Sequence, residues 1–342
     1  MTTGKKEITG IALPQARDID ARRRQILLLG LAALATGRTA MAQTDWPSRP
    51  LRIIVPFSAG GAADTSARSV GARLADILGQ NVIIENRTGG NAVVGATAAL
   101  QAPKDGYTFL WDAANQVTNR MLVKDLPFDY RISFVPISLV VRLPQVLAVR
   151  QDFPARTLEE FIDYVRARPG TVSCGTPPTG ATGHLALALL QQRADIRLIH
   201  TPYRGGADAA RDIMGGQIDS MIITTSTARG PLLAGKIRML AVTSAARSAA
   251  YPEVPTIAER GFPGYDMDDW HGLFAASGTP AAVVPRMHAA LVQAVRDPGL
   301  LAGMASLGTV PVANTPQEFT AWLAQQRELL EKLIRDANIT VS

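Results

Sequence analysis

A single cysteine, Cys174, stands in a chain of 342 residues. No intramolecular disulfide can form, and a lone cysteine is expected to act as a small buried hydrophobe. The alternative is a thiol–imidazole pair with His184, but no pattern supplies a third group to orient it. Histidines are few: His184, His200, His271 and His288. No two stand at i, i+4, and none has a cysteine partner at metal-ligand spacing, so no metal site is expected. No glycine loop is followed by Lys-Ser/Thr, and Gly-x-Gly-x-x-Gly is missing, which argues against nucleotides. A Gly-x-Ser-x-Gly nucleophile elbow is missing too. No cofactor is implied.

Charge of one sign is also scarce once the first residues are set aside. The formal net charge is +6. Residues 1–42 hold seven Lys/Arg and three acids, which leaves 28 basic and 26 acidic residues in the rest. A chain so near neutrality gives no reason to invoke nucleic acid. The early excess belongs to a targeting pattern. Arg22-Arg23-Arg24 precedes the ten-residue apolar run Ile26–Ala35, too short for a bilayer span, and Ala40-Met41-Ala42 follows as a small-x-small cleavage site. Residues 1–42 therefore read as a signal peptide, cleaved near Ala42, with Gln43 as the new N-terminus. The arginines before Gln25-Ile26-Leu27 resemble a twin-arginine signal without its Ser and with Ile for Phe, so both export routes stay open. No cysteine follows to carry a lipid, and no later apolar run spans a membrane. A soluble periplasmic protein, not membrane-embedded, is expected.

Short apolar runs alternate with helical patterns, which argues for α/β architecture with parallel sheets covered by helices. Strands are expected at Leu51–Pro56, Val82–Glu85, Tyr107–Trp111, Val146–Arg150, Thr171–Cys174, Leu198–Tyr203, Asp219–Ile223, Arg238–Thr243 and Gly272–Ala275. A helix from Asp64 places Val70, Leu74, Ile77 and Leu78 on one face, with Asp64 as cap and Gly79 as stop. Thr157-Leu158-Glu159-Glu160 reads as a capping box. One helix runs from Pro280 through Val295, and the last from Pro316 to about Asp336. Crossings between lobes are expected at Leu143-Pro144-Gln145 and in the Pro/Gly-rich stretch from Thr243 to Trp270. They divide the mature chain into one lobe of residues 43–145 plus 268–342 and another of 146–267. Ligands in open α/β sheets sit beyond the carboxyl ends of the strands, so a cleft between the lobes is the expected site.

Two loops carry the candidate chemistry. Phe57-Ser58-Ala59-Gly60-Gly61-Ala62-Ala63-Asp64 joins a strand to a helix. Its glycines allow close backbone approach, and the helix N-terminus favours an anion. Gly175-Thr176-Pro177-Pro178-Thr179-Gly180-Ala181-Thr182-Gly183-His184 does the same in the other lobe and adds three threonine hydroxyls. Two such loops fit a carboxylate gripped from opposite sides. Glu85–Gly90 is a third glycine segment that is expected to line the same cleft. Asp268-Asp269 reads as a solvated loop, with an acid pair as the alternative, and Trp270 as a cleft-facing aromatic.

Trp46-Pro47-Ser48-Arg49-Pro50, Glu85-Asn86-Arg87, Asp105-Gly106-Tyr107-Thr108, Leu126-Pro127-Phe128-Asp129, Gly183-His184-Leu185-Ala186, Pro202-Tyr203-Arg204-Gly205, Gly215–Asp219, Ala241–Ser244 and Val254-Pro255-Thr256 stand in an order and spacing found together in one family. The chain resembles the substrate-binding proteins of tripartite tricarboxylate transporters, the Bug receptors, over nearly all of its mature length. The resemblance implies a type II periplasmic-binding-protein fold with two Rossmann-like lobes around a ligand cleft. It implies a monomeric receptor, not an enzyme, that captures a small organic carboxylate and delivers it to inner-membrane transporter subunits. The implied ligand-binding positions are Phe57, Ser58, Gly60, Gly61, Ala62, Asp64, Asn115, Gly175, Thr176, Thr179, Gly180, Thr182, His184, Tyr203, Asp219 and Trp270. Departures from the family pattern are Ser58-Ala59 in place of Pro-Pro, Ala63 in place of Thr, Asn91-Ala92 in a Gly-rich stretch, and Trp111–Asn115 in a Gly/Thr/Ser-rich one. Trp111 or Asn115 at the cleft would alter its size and polarity. Two other functions remain open at this point: a sensory module presenting its ligand to a membrane kinase, and an exported enzyme using the same cleft.

Overall fold

Eleven strands among the described residues fall into two mixed sheets, shown by a computed structural model that describes residues 1–3, 46–337 and 339. The expected cleavage site and all but the first three residues of the signal peptide lie outside the described residues. The first sheet has the order β11-β4-β10-β3-β1-β2, from β1 (Leu51–Val55), β2 (Val82–Asn86), β3 (Thr108–Asp112), β4 (Phe134–Leu143), β10 (Asp269–Ala276) and β11 (Val310–Pro311). The second has the order β7-β6-β8-β5-β9, from β5 (Gln145–Arg150), β6 (Ser173–Thr176), β7 (Ile199–Pro202), β8 (Ser220–Thr224) and β9 (Ile237–Val242).

All nine expected strands are present, with no end shifted by more than three residues. The sheets are not purely parallel, however. β10 runs antiparallel to β3 and β4, and β5 runs antiparallel to β8 and β9. Chain continuity requires this. Strands β1, β3, β6 and β8 point toward the loops between the sheets, so a strand entering a sheet from that side must run the other way. β4 and β5 are separated only by Pro144, which has no N–H to continue a ladder. The return runs from β9 through residues 243–268 into β10.

β4 was not expected from the sequence. Pro136 interrupts its pattern, yet it pairs with Phe274 where the β4–β10 register shifts, a place that tolerates a missing donor.

Helices cover both sheets: α1 (Ala62–Leu78), α2 (Val93–Gln101), α3 (Asn115–Leu122), α4 (Tyr130–Ser133), α5 (Leu158–Arg166), α6 (Thr182–Ala194), α7 (Gly206–Met214), α8 (Thr225–Leu233), α9 (Val283–Ala294), α10 (Pro298–Ser306) and α11 (Pro316–Asp336). α1 buries Val70 and Leu74 and ends at Gly79 with φ 66°. Thr157 caps α5, but Glu160 accepts from the Arg156 N–H rather than from Thr157, so the box is only half closed. A complete box forms instead at Thr315 and Glu318, ahead of α11. α11 drives Phe319, Leu323, Leu330 and Ile334 into the core. No helix among the described residues is long and apolar enough to cross a membrane.

Candidate functional site

The first loop is built by one carboxylate. Asp64 is not the helix cap; it lies in the first turn of α1 and reaches back, accepting from the Gly60 N–H at 2.9 Å. Gly60 has φ 77°, a left-handed conformation that glycine adopts without penalty. Arg68 binds Asp64 through Nε at 3.0 Å and also donates to Asn86 Oδ1, while Asn86 Nδ2 donates to the Phe57 carbonyl. Burial raises the Asp64 pKa, but the Arg68 and Gly60 hydrogen bonds outweigh it and hold the carboxyl low. Asn86 thus supports the loop from behind. Arg87 and Gly90 border a separate surface hollow, so the Glu85–Gly90 segment does not line the cleft.

The second loop is an internal network. Thr176 Oγ1 donates to the Pro177 carbonyl and lies 2.8 Å from His200 Nε2. His200 stacks on His184, with ring centroids 3.9 Å apart and planes 8° from parallel. His184 Nδ1 accepts from the Gly180 N–H at 3.1 Å. Burial lowers the His184 pKa to about 3, helped by His200, and the His200 pKa to about 4. Both rings are neutral and serve to shape the loop. Gly175 and Cys174 lie within β6, and burial pushes the Cys174 thiol up to about 12, which excludes a thiolate at neutral pH.

The two loops face one narrow cleft, where the space not filled by atoms is about 430 Å³ with the open solvent at its mouth included. Its walls are the starts of four helices. Phe57, Ser58, Gly61, Ala62 and Ala63 belong to the start of α1; Pro177 and Ala181 precede α6; Gly205 and Gly206 open α7; Thr224 and Thr227 open α8. Ala113, just before α3, completes that side. α1, α6 and α7 begin at Gly61, Ala181 and Gly205, none of which caps its helix with a side chain. The first N–H groups of a helix have no partner within it. Their partial positive charge therefore faces the cavity, while no lysine or arginine among the described residues lines it.

The cavity walls also touch one another. Ser58 packs on Gly205 so tightly that a β-carbon there would overlap Ser58 Oγ. Thr118 Oγ1 of α3 donates to the Gly180 carbonyl at 2.9 Å, and Asn115 Nδ2 reaches the Thr179 carbonyl at 3.5 Å.

The floor comes from β10. Side chains alternate along a strand. Asp269 and His271 therefore line the cavity, and Trp270 faces the other way. Trp270 is 2% exposed and meets Trp322 at 5.0 Å and Phe319 at 6.0 Å, edge to face. The expected cleft-facing aromatic is a core residue, and the expected solvated acids are mostly buried: Asp268 pairs with Arg142, and Asp269 opens β10. Asp269 Oδ1 accepts from Thr182 Oγ1 at 3.0 Å and from the Trp270 N–H at 2.9 Å.

Of the sixteen expected positions, Phe57, Ser58, Gly61 and Ala62 line the cavity. Gly60, Asp64, Asn115, Thr176, Thr179, Gly180, Thr182 and His184 hold the loops that form it. Gly175, Tyr203, Asp219 and Trp270 are not in its lining. Asp219 binds the Ser173 N–H and hydroxyl and Arg150 at the opposite end of β8. Tyr203 packs beside Gly175, and burial followed by Asp212 raises its pKa to about 12. Trp111 is fully buried within β3. Asp269, His271, Gly205 and Thr224 were missed as site residues. The signal for the first two was present: an alternating pattern extends back from Gly272 to Asp269.

Residues 66–339 match the model of the tripartite tricarboxylate transporter family receptor. A protein encoded in the tcbD-tcbE intergenic region of Pseudomonas sp. (strain P51) is 35% identical over 314 residues, 92% of this chain and 94% of that one. The structure of the periplasmic binding protein BugD is similar at TM-score 0.83 and 33% identity, over 86% of this chain and all of the other. A structure of R. palustris Rpa4515 with adipate is similar at TM-score 0.83 and 30% identity, again over 86% of this chain and all of the other. With this fold and these matches, the chain belongs to the tripartite tricarboxylate transporter receptor family of periplasmic solute-binding proteins.

Proposed function

We propose that the cavity between the two loops captures a small organic carboxylate and that the receptor delivers it unchanged to inner-membrane transporter subunits. The observation that carries this reading is the convergence of α1, α6, α7 and α8 on one cavity, three of them without a side-chain cap. Each helix start favours an anion by ~0.3–1 kcal/mol when exposed and by up to ~2 kcal/mol when partly buried. Backbone donors take the place of the missing cations. The adipate-bound relative supports the same ligand chemistry. Micromolar or tighter capture requires on the order of 8 kcal/mol or more.

The lobes in this reading are residues 43–145 plus 268–342 and residues 146–267. The sheets support the division, because one draws strands from 51–143 and 269–311 and the other from 145–242. Ligand binding would shift the lobes toward the touching arrangement of Ser58 and Gly205, which the transporter recognises. Export would follow cleavage near Ala42. The test is a melting-temperature screen of the exported protein, refolded to strip bound solute, against adipate, citrate, malate, glutamate, nicotinate and terephthalate with their amides. One acid should raise the melting temperature while its amide does not. A rise with neutral compounds and none with acids would overturn the reading.

A further inference from the structure

The helix starts account for one end of a bound acid. They leave unexplained why the same cavity contains a carboxylate of its own. Asp269 lines it, and no lysine or arginine among the described residues lines it with Asp269. The hydrogen bonds from Thr182 and the Trp270 N–H both go to Oδ1. Oδ2 lies 3.9 Å from His271 Nε2.

The protons on that pair can be assigned from the far side of the imidazole. Ser66 Oγ lies 3.2 Å from the Ala63 carbonyl and 3.0 Å from His271 Nδ1. The hydroxyl has one proton, and a carbonyl only accepts. Both contacts are hydrogen bonds only if Ser66 donates to Ala63 and Nδ1–H donates to Ser66. His271 Nε2 then presents a lone pair toward Asp269 Oδ2. Burial keeps the ring neutral, lowering its pKa to about 3, and it raises the Asp269 pKa to about 6. Two acceptors thus face one another at a separation that a single donor can bridge. Ser58 Oγ, on the opposite wall, is buried without a hydrogen-bond partner among the described residues.

We propose that Asp269 Oδ2 and His271 Nε2 form a donor-recognising subsite, so that the preferred ligand is a carboxylate that also carries an ammonium group rather than a second carboxylate. This rests on the carboxylate reading above. Desolvating a carboxylate with no cation beside it is costly, and pairing it with a cation that is also hydrogen-bonded offsets much of that cost. A second ligand carboxylate would instead meet Asp269 as a like charge in a low-dielectric cleft.

The test is isothermal titration of the exported, solute-stripped protein at about pH 7.5, where Asp269 is ionised. The probes share one carbon count: α-, β- and γ-aminobutyrate, the matching hydroxybutyrates, butyrate and succinate, with γ-aminobutyramide as the uncharged-end control. At least one aminobutyrate should bind at least about tenfold more tightly than butyrate and succinate, with its hydroxy analogue between. In Asp269→Asn that advantage should fall to about threefold or less, with succinate gaining. Succinate binding as well as the best amino acid would overturn the subsite and leave the carboxylate reading standing. γ-Aminobutyramide binding as well as γ-aminobutyrate would overturn the carboxylate reading instead. Absence of binding by every aminobutyrate would also overturn the subsite. The wild-type series is decisive even if Asp269→Asn folds poorly.

Discussion

Ser58 and Gly205 touch across the cavity so closely that Gly205 has no room for a β-carbon. The backbone at Gly205 is extended, with φ 178°, so any residue could adopt it. Contact alone forbids a side chain there. Gly205→Ala should therefore leave the unliganded melting temperature nearly unchanged and weaken ligand affinity about 10- to 100-fold, because overpacking of about 1–3 kcal/mol acts only when the walls meet. Calorimetric titration with small-angle scattering checks this. Unchanged affinity would show that the contact is not part of ligand capture.

Trp270 holds β10 to α11 through Phe319 and Trp322. Trp270→Ala should cost about 3–5 kcal/mol of stability in urea melts, while affinity changes by less than about threefold. A large loss of affinity at unchanged stability would return Trp270 to the ligand.

Asp112 is fully buried, and burial raises its pKa from 3.8 to about 7. Its Oδ1 accepts from the Ala113 N–H, while Oδ2 has no partner among the described residues. Below about pH 4 the group is protonated in both folded and unfolded chains and costs nothing. As pH rises toward 7 the unfolded chain releases its proton first, so stability falls. Asp112→Asn should match the wild type near pH 4 and exceed it near pH 8 by on the order of 2–4 kcal/mol. Melting curves at the two pH values decide it.

The stacked His184 and His200 act in the opposite direction. Their folded pKa values, about 3 and about 4, lie below the ordinary 6.5. Between these limits the unfolded chain binds protons that the folded chain refuses, so stability is lost as pH falls through 6.5. Replacing both with Gln should recover on the order of 4–5 kcal/mol of the loss between about pH 7 and pH 4.5. Equal acid sensitivity of the variant and the wild type would refute this.

Much of the fold was legible because its signals are local. The strand runs, Gly79 as a helix stop and Thr157 as a helix cap all act within a few residues. β4 escaped because Pro136 looks like a break until the register shift against Phe274 is known. Asp64 was misread as a helix cap because it reaches backward to the Gly60 N–H from inside the first turn, a choice set by the turn at Gly60.

Similarly, the first and second loops were legible as glycine-rich starts of helices, but only the structure fixed Gly61, Ala181 and Gly205 as starts without a side-chain cap. Four helix starts meeting at one cavity is a relation between distant segments, and no local pattern encodes it. The same holds for Asp269 and His271, whose side depends on where β10 begins. The sequence by itself determined most of the elements, the family and the two glycine-rich loops, because those depend on neighbouring residues. Only the tertiary structure decided which side chains share the cavity and that Trp270 lies outside it, because strand alternation acquires an inside and an outside only after the sheets have packed.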